Sequence, residues 1–294
     1  MNKHYVDFHT HTYLSDGELS PQELLTRAEK AGIRTMAITD HNRSCKELPQ
    51  LQKEFPGIHL IQGCEVSCLH PLLPEKTVEL HVVALGFDPY HSAMERILKQ
   101  NQPDRAPYIN AILEKLAKQN IFPGTYEELQ ARHPETTHLG RMTIAAAMVE
   151  KGYVSTVDEA FDLYIGAHGE RRAFVPNPLS YVSLEEAICA ILEAGGIPIL
   201  AHLYYYLLSE TEQHKLLSEF RDLCQGDGGM EVNYGPYDES QRETLMTLAT
   251  KYGLLPSAAS DFHGQNPSDI LEHGFSACDH LPLLRRLGAV PKEA

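Results

Sequence analysis

Two histidines near the start of the chain have the spacing of paired metal ligands. His9 and His11 follow Val6 and Phe8, which alternate with polar residues as in a short β-strand. Residues two apart on a strand face the same side, so both imidazoles should leave the strand together. Asp16 lies at the next bend and could add a carboxylate oxygen. The segment predicts a divalent metal site; a surface loop that merely contains two histidines is the alternative.

Similar side chains recur just after predicted strands farther along the chain. These strands cover residues 35–39, 59–64, 197–201 and 254–259, and the residues that follow them are His41, Glu65, His202, Asp261 and His263. In an α/β barrel the carboxyl ends of the strands meet on one face, where sites are built. His81 lies early in its predicted strand, so a buried core histidine competes there with a metal ligand. The set suits two or three metal ions, and its donor types fit manganese, iron or zinc.

Clustered metal ions indicate a class of reaction. Two neighbouring ions lower the pKa of a bridging water and stabilise the attacking and leaving oxygens of an in-line displacement. Phosphoester hydrolysis by a metal-bridging hydroxide fits this arrangement best, with Glu65 as the bridging carboxylate. For proton transfer the candidate catalytic groups are His202 and Asp261.

The composition limits the partners. The 294 residues carry a formal net charge of -15, which argues against a stable complex with nucleic acid. A small phosphorylated substrate remains compatible, because bound metal ions can invert the local field. The six cysteines show neither paired metal spacing nor a disulfide framework, and no apolar run is long enough to span a membrane. We therefore expect a cytoplasmic protein without a membrane partner.

The pattern of helices and strands divides the chain in two. Strands and helices alternate over residues 1–89 and 174–294, which predicts a discontinuous α/β domain. Residues 90–173 show helical segments and no convincing strand, which predicts an all-helical insert. Its first helix is expected at 95–120, broken or kinked by Pro103 and Pro107.

The motifs in combination resemble a known family. The string D-F-H-T-H-T-x-x-S-D-G, then T-D-H-N, a lone glutamate after a strand, A-H and a late S-D-F-H-G resemble the PHP (polymerase and histidinol phosphatase) phosphoesterases. The resemblance implies a distorted seven-stranded α/β barrel with a trinuclear site, commonly of manganese. It implies an orienting role for Asp40 and the ligands His9, His11, Asp16, His41, Glu65, His81, His202, Asp261 and His263.

The helical insert resembles one branch of that family, on the segments 138–141, 149–154 and 173–176. That branch removes the 3′-phosphate from nucleoside 3′,5′-bisphosphates, and some members also shorten 5′-phosphorylated RNA. The resemblance implies an insert at 90–173 that covers the active site, with Arg141 as a phosphate clamp. An exposed arginine at a helix start is the alternative for Arg141.

The loops that would read the substrate depart from the family pattern. Ala201-His202 continues as Leu-Tyr-Tyr-Tyr without the usual arginine, and tyrosines also follow Asn233. These tyrosines could stack on a base or a sugar, or be ordinary half-buried aromatics. The predicted substrate contacts are Arg141, His138, Arg171, Arg172, Tyr205, Asn233 and Tyr234.

We therefore expect a metal-dependent phosphoesterase whose substrate is a small phosphorylated nucleotide, with short 5′-phosphorylated RNA as a further candidate. A phosphatase for another small phosphomonoester, such as histidinol phosphate, is the rival within the family. A non-catalytic metal- or nucleotide-binding module is the rival from another class, and loss of ligands would be its mark. All nine ligand positions are filled, which favours the enzyme.

Overall fold

The computed structural model describes residues 5–102, 105–132, 139–176, 181–264, 271 and 274–290, and the structural statements below concern these residues. Strands and helices alternate through most of the chain. The strands are β1 Tyr5–Asp7, β2 Ile33–Ile38, β3 His59–Leu73, β4 Lys76–Leu85, β5 Ile197–Leu200, β6 Gly229–Tyr234, β7 Leu255–Ala259 and β8 Phe275–Ser276. The α-helices are α1 Pro21–Ala31, α2 Leu48–Glu54, α3 Ser92–Gln100, α4 Ala106–Ala117, α5 Tyr126–Arg132, α6 Arg141–Glu150, α7 Val157–Ala160, α8 Leu184–Glu193, α9 Glu210–Cys224, α10 Glu239–Tyr252 and α11 Leu281–Arg286.

Strands β1 to β7 lie side by side in chain order and curve into a barrel. The two ends of the sheet meet, because the Phe8 amide donates to the Ala258 carbonyl at 2.9 Å and Thr10 forms a parallel bridge with Phe262. The predicted distorted α/β barrel is confirmed. The short strand β8, which was not predicted, pairs antiparallel with β1 beside this closure.

One strand of the barrel runs against the others. Strands β3 and β4 form a hairpin, and β4 pairs antiparallel with both β3 and β5. Strand β3 continues to Leu73, well beyond the predicted end at residue 64. Because β4 is reversed, its early residues lie at the end of the barrel where the neighbouring strands finish.

Local sequence signals fix where the helices begin. Ser20 and Ser183, which precede α1 and α8, both form complete capping boxes with a glutamate three residues later. Each such cap contributes about 1 kcal/mol. The helices α9 and α10 also begin with capping boxes, at Ser209 and Asp238.

The middle of the chain is helical, without a strand among its described residues. The predicted helix 95–120 is two helices, α3 and α4, and Pro107 lies in the first turn of α4. Helices α4 to α7 share a hydrophobic cluster that includes Ile112 and Met148, whereas α3 packs with α8 in the core of the barrel domain. Division into a barrel domain and an insert at 90–173 stays a prediction. No described helix is both long and apolar enough to cross a membrane.

Candidate metal centre

The described barrel residues bring ligand-type side chains together in three overlapping groups. Within each group the candidate ligand atoms all lie within 4.8 Å of one another. His11 belongs to two of the groups and His41 to two, so the three form one continuous cluster. The groups are His9, His11 and Asp261; His11, Asp16, His41 and His263; and His41, Glu65 and His81.

Glu65 lies at the centre of the cluster and is 1% exposed. Its Oε1 is 2.8 Å from His81 Nδ1 and 3.1 Å from His202 Nε2. Its Oε2 is 2.9 Å from His41 Nδ1 and 3.3 Å from both His9 Nε2 and His11 Nε2. One carboxylate thus faces five imidazoles, the position expected for a bridging group.

The reversed direction of β4 explains how His81 reaches the cluster. This residue pairs with Ser67, two residues beyond Glu65 on β3, and so reaches the cluster although it lies early in its own strand. An early position in a strand would keep His81 away from the cluster only if β4 ran parallel to its neighbours. Because β4 is antiparallel, the early position brings His81 to the cluster.

Asp16 and His263 complete the opposite side of the cluster. Asp16 Oδ1 lies 3.4 Å from His263 Nε2, and its Oδ2 lies 3.6 Å from His41 Nε2. The glycine after Asp16 is required, because a Cβ at Gly17 would lie 2.7 Å from the His11 carbonyl carbon. The tight turn therefore brings the carboxylate back towards the imidazoles.

Asp40 lies behind this turn. Its carboxylate accepts hydrogen bonds from the Thr12 amide and hydroxyl at 2.8 Å and from the Ser15 hydroxyl at 2.7 Å. These contacts hold the segment that joins His11 to Asp16. Asp40 is therefore placed to orient that segment; the orienting role that the resemblance implied for it stays a prediction.

Glu231 is a buried carboxylate that the sequence analysis did not assign to the site. Its Oε1 lies 2.6 Å from His9 Nδ1, and its Oε2 accepts the His202 amide at 2.7 Å. With a proton on Nδ1 facing this carboxylate, the His9 Nε2 lone pair points towards His11 Nε2, 3.0 Å away. The available signal was one acidic residue inside the apolar strand β6.

Glu231 also holds a strained backbone. His202 has φ +27°, a left-handed value that is unfavourable for a residue with a side chain, and Asp261 has φ +55°. The Glu231 carboxylate fixes the amide of His202 in that turn. His202 and Asp261, which follow β5 and β7, therefore both have uncommon backbone conformations beside the cluster.

In the cluster, carboxylates and imidazoles stabilise one another's charged forms. Burial alone would raise the pKa of Glu65, but the surrounding imidazoles, His41 foremost, hold that pKa well below its usual value. Burial would lower the pKa of His263, yet the Asp16 carboxylate raises it to about 10. Without a metal ion, protons on the imidazoles would balance the carboxylates. A divalent cation could replace them.

The donor set fits divalent metal ions. Imidazole nitrogens and carboxylate oxygens converge, Glu231 and Asp40 orient them from behind, and no cysteine belongs to the three groups. This arrangement matches a catalytic rather than a structural metal site.

A cavity of about 620 Å³ opens beside the Asp261 side of the cluster. Tyr205 and Tyr234 line it from the barrel, and Arg141 and His168 line it from the helical segment. The Tyr234 hydroxyl donates to Asp261 Oδ2 at 2.7 Å, which joins the wall of the cavity to the cluster. The Arg141 guanidinium stacks over the Phe161 ring, 5.7 Å from its centroid.

Three of the predicted substrate contacts lie elsewhere, and His138 lies outside the described residues. Arg171 stacks on Phe174, and Arg172 pairs with Glu170; neither lines the cavity. The Asn233 amide contacts His280 Nε2 at 3.0 Å, next to an irregularity in the pairing of β6 with β7. Arg141, Tyr205 and Tyr234 do line the cavity.

Comparisons with known proteins agree with this geometry. Residues 7–175 match the PHP domain family. The chain is 34% identical over 265 residues to the 5′-3′ exoribonuclease Rnm of Salmonella typhimurium, covering 89% of this chain and 86% of that one. It is 28% identical to the 3′,5′-nucleoside bisphosphate phosphatase of Chromobacterium violaceum, covering 90% of each. A solved amidohydrolase from Chromobacterium violaceum, with bound sulfate and no metal, superposes with a TM-score of 0.79 at 25% identity, covering 97% and 96%.

The barrel and its cluster of imidazoles and carboxylates define a metal-dependent phosphoesterase. The chain belongs to the PHP domain family, and it is an enzyme that hydrolyses phosphoric esters.

Proposed function

We propose that this enzyme removes the 3′-phosphate from nucleoside 3′,5′-bisphosphates at a cluster of two to three divalent metal ions, with manganese as the ion. The observation that carries the proposal is the 620 Å³ cavity, which has aromatic walls and an arginine and ends at the cluster. Its volume falls in the range of pockets for nucleotide-sized ligands. The named activity of the Chromobacterium violaceum relative supports the same substrate.

The proposed ligands are the three groups of the cluster together with His202. When bound, the metal ions would polarise the phosphoryl oxygens and activate water. Glu65, which faces five imidazoles, would be a ligand shared between metal ions. Glu231 would keep the proton of His9 on Nδ1, so that Nε2 stays free to bind metal.

The remaining residues would position the substrate. Tyr205 and Tyr234 would flank the nucleoside, and Arg141 would donate paired hydrogen bonds to phosphate. Of the two candidate catalytic groups, Asp261 lines the cavity, whereas His202 lies next to the Tyr205 ring, with centroids 5.6 Å apart. Burial would raise the pKa of Asp261, but His9 and the other neighbouring imidazoles hold it well below its usual range. We therefore assign to the Asp261 carboxylate the acceptance of a proton from the attacking water, with the Tyr234 hydroxyl donating to its Oδ2. Residues 90–173 would act as the insert that covers this site.

A second candidate function is removal of nucleotides from 5′-phosphorylated RNA. It is favoured by the Salmonella typhimurium relative, which is named an exoribonuclease and is more similar in sequence than the bisphosphate phosphatase. The chemistry at the cluster would be the same, because both reactions break an ester bond to a 3′ oxygen.

Turnover of a matched panel by manganese-loaded protein tests the proposal. The panel contains adenosine 3′,5′-bisphosphate, adenosine 3′-monophosphate, a short 5′-phosphorylated RNA and histidinol phosphate. We expect kcat/KM to be highest for the bisphosphate, by about tenfold over the monophosphate, the value of one charged hydrogen bond. A preference for the RNA would select the second function, and a preference for histidinol phosphate would contradict both.

A further inference from the structure

A buried network of polar side chains adjoins the metal cluster. Its members are Asn42, Ser67 and Asn101, and each is at most 2% exposed. The side-chain amide of Asn42 donates to Ser67 Oγ at 3.1 Å, and Asn42 Oδ1 accepts the Ser67 backbone amide at 3.0 Å. Asn101 Nδ2 donates to Asn42 Oδ1 at 2.9 Å and to the Ser67 carbonyl at 2.7 Å. Several hydrogen bonds therefore fix each of the two asparagine side chains.

Two members of the network lie next to candidate metal ligands. Asn42 follows His41 in the chain, and its backbone amide donates to the Glu65 carbonyl at 2.7 Å. Asn42 also has φ +50°, a left-handed value that asparagine adopts more readily than most residues. Ser67 lies two residues beyond Glu65 and pairs with His81 across the hairpin. A shift of Asn42 or Ser67 would therefore displace the ligand group formed by His41, Glu65 and His81.

Asn101 connects this network to helices α4 to α7. It directly follows α3, and the chain continues from it towards α4. Its Oδ1 accepts the backbone amide of Val182 at 3.0 Å, where the chain has returned from these helices and is about to begin α8. Gln102 Nε2 donates to the Asn42 carbonyl at 2.6 Å and adds a second link. One asparagine thus holds the chain before and after these helices and attaches both parts to the loop of His41.

We propose that Asn101 is a positioning residue that couples helices α4 to α7 to the ligand group formed by His41, Glu65 and His81. Metal binding at that group would favour the docked position of the helices. Docking would raise the metal affinity by the same factor, because coupling between two sites is reciprocal. The inference goes beyond the proposed function and holds whichever phosphoester is hydrolysed, since it concerns only the metal ions and the helices.

The variant Asn101→Asp tests this coupling selectively. It keeps an oxygen for the Val182 amide but places its other oxygen against the acceptors on Asn42 and Ser67. We expect at least one step in a titration of the metal-free protein to weaken by about tenfold, within the usual range of coupling between sites. The added negative charge would by itself favour cations, so a weaker affinity reports the lost hydrogen bonds.

The titration uses manganese and, separately, zinc, so that the choice of ion does not decide the result. Asn110→Asp makes the same change at an exposed position of α4 and is the matched control, which should keep the wild-type affinity. A network that only stabilised the fold would lower the melting temperature equally with and without metal. Asn101→Asp should instead reduce the rise in melting temperature that metal produces.

Hydrogen exchange gives a readout that needs no turnover. In the wild type, metal should slow the exchange of backbone amides in α4 to α7 by about tenfold, the same factor as in the titration. In Asn101→Asp this response should be lost, whereas helix α10, which packs on β6, should keep its own response and serves as the internal reference.

Two results would overturn the proposal. One is an unchanged metal affinity in a folded Asn101→Asp protein, and the other is exchange in α4 to α7 of the wild type that does not respond to metal. If Asn101→Asp does not fold, the exchange experiment on the wild type decides alone.

Discussion

The barrel side and the helical side of the cleft hold their side chains in different ways. On the barrel side, Glu65 and His9 are buried and each is fixed by several neighbours. On the helical side, Asp158, Asp162 and His168 reach the cavity from exposed positions, and Tyr205 on the barrel rim is 58% exposed. We therefore expect the barrel to fix the chemistry, and the rim and the helices to choose the substrate.

Replacing the central carboxylate should give the largest effect. Glu65→Gln keeps the shape but removes the negative charge shared by five imidazoles, so we expect kcat/KM to fall on the order of a thousandfold or more. Elemental analysis after dialysis should show less bound metal. Glu75→Gln, an exposed position in the β3–β4 hairpin, is the control. Full activity in Glu65→Gln would show that the cluster is not the reaction centre.

Replacing the supporting carboxylate should give a smaller effect on the same side of the cleft. Glu231→Gln should weaken metal binding by about tenfold to a hundredfold, because His9 loses the partner that sets its tautomer. Glu231→Asp should recover part of the affinity. Titration of the metal-free protein with manganese measures this directly, and an unchanged affinity would remove Glu231 from the positioning role.

A change on the helical side should separate binding from chemistry. Arg141→Gln should raise KM for the bisphosphate by about tenfold to a hundredfold with little change in kcat, if the guanidinium holds substrate and transition state equally. Metal content should stay at the wild-type level. A large fall in kcat together with metal loss would break the comparison, since Arg141 would then belong to the reaction centre.

The sequence predicted the barrel side better than the helical side, for a physical reason. Ligand-type residues at strand ends need only the strand pattern to be placed, and so His9, Glu65 and Asp261 could be grouped in advance. The position of His81 depended on a hairpin whose direction the pattern does not encode. Glu231 was missed because a carboxylate in mid-strand gives no sign of its partner.

Substrate contacts were harder to foresee because they depend on how the helices pack over the barrel. Arg171 and Arg172 shared a resemblance-based assignment with Arg141, yet local contacts with Phe174 and Glu170 hold them elsewhere. Residues from distant parts of the chain form these walls only in the folded protein.

Phosphorus NMR of the products from adenosine 3′,5′-bisphosphate tests the central claim most directly. If the helical side presents the 3′-phosphate to the metal cluster, manganese-loaded protein should yield 5′-AMP and inorganic phosphate, and Glu65→Gln should leave the substrate intact. Formation of adenosine 3′-monophosphate instead would contradict the account, because the opposite end of the substrate would then face the cluster.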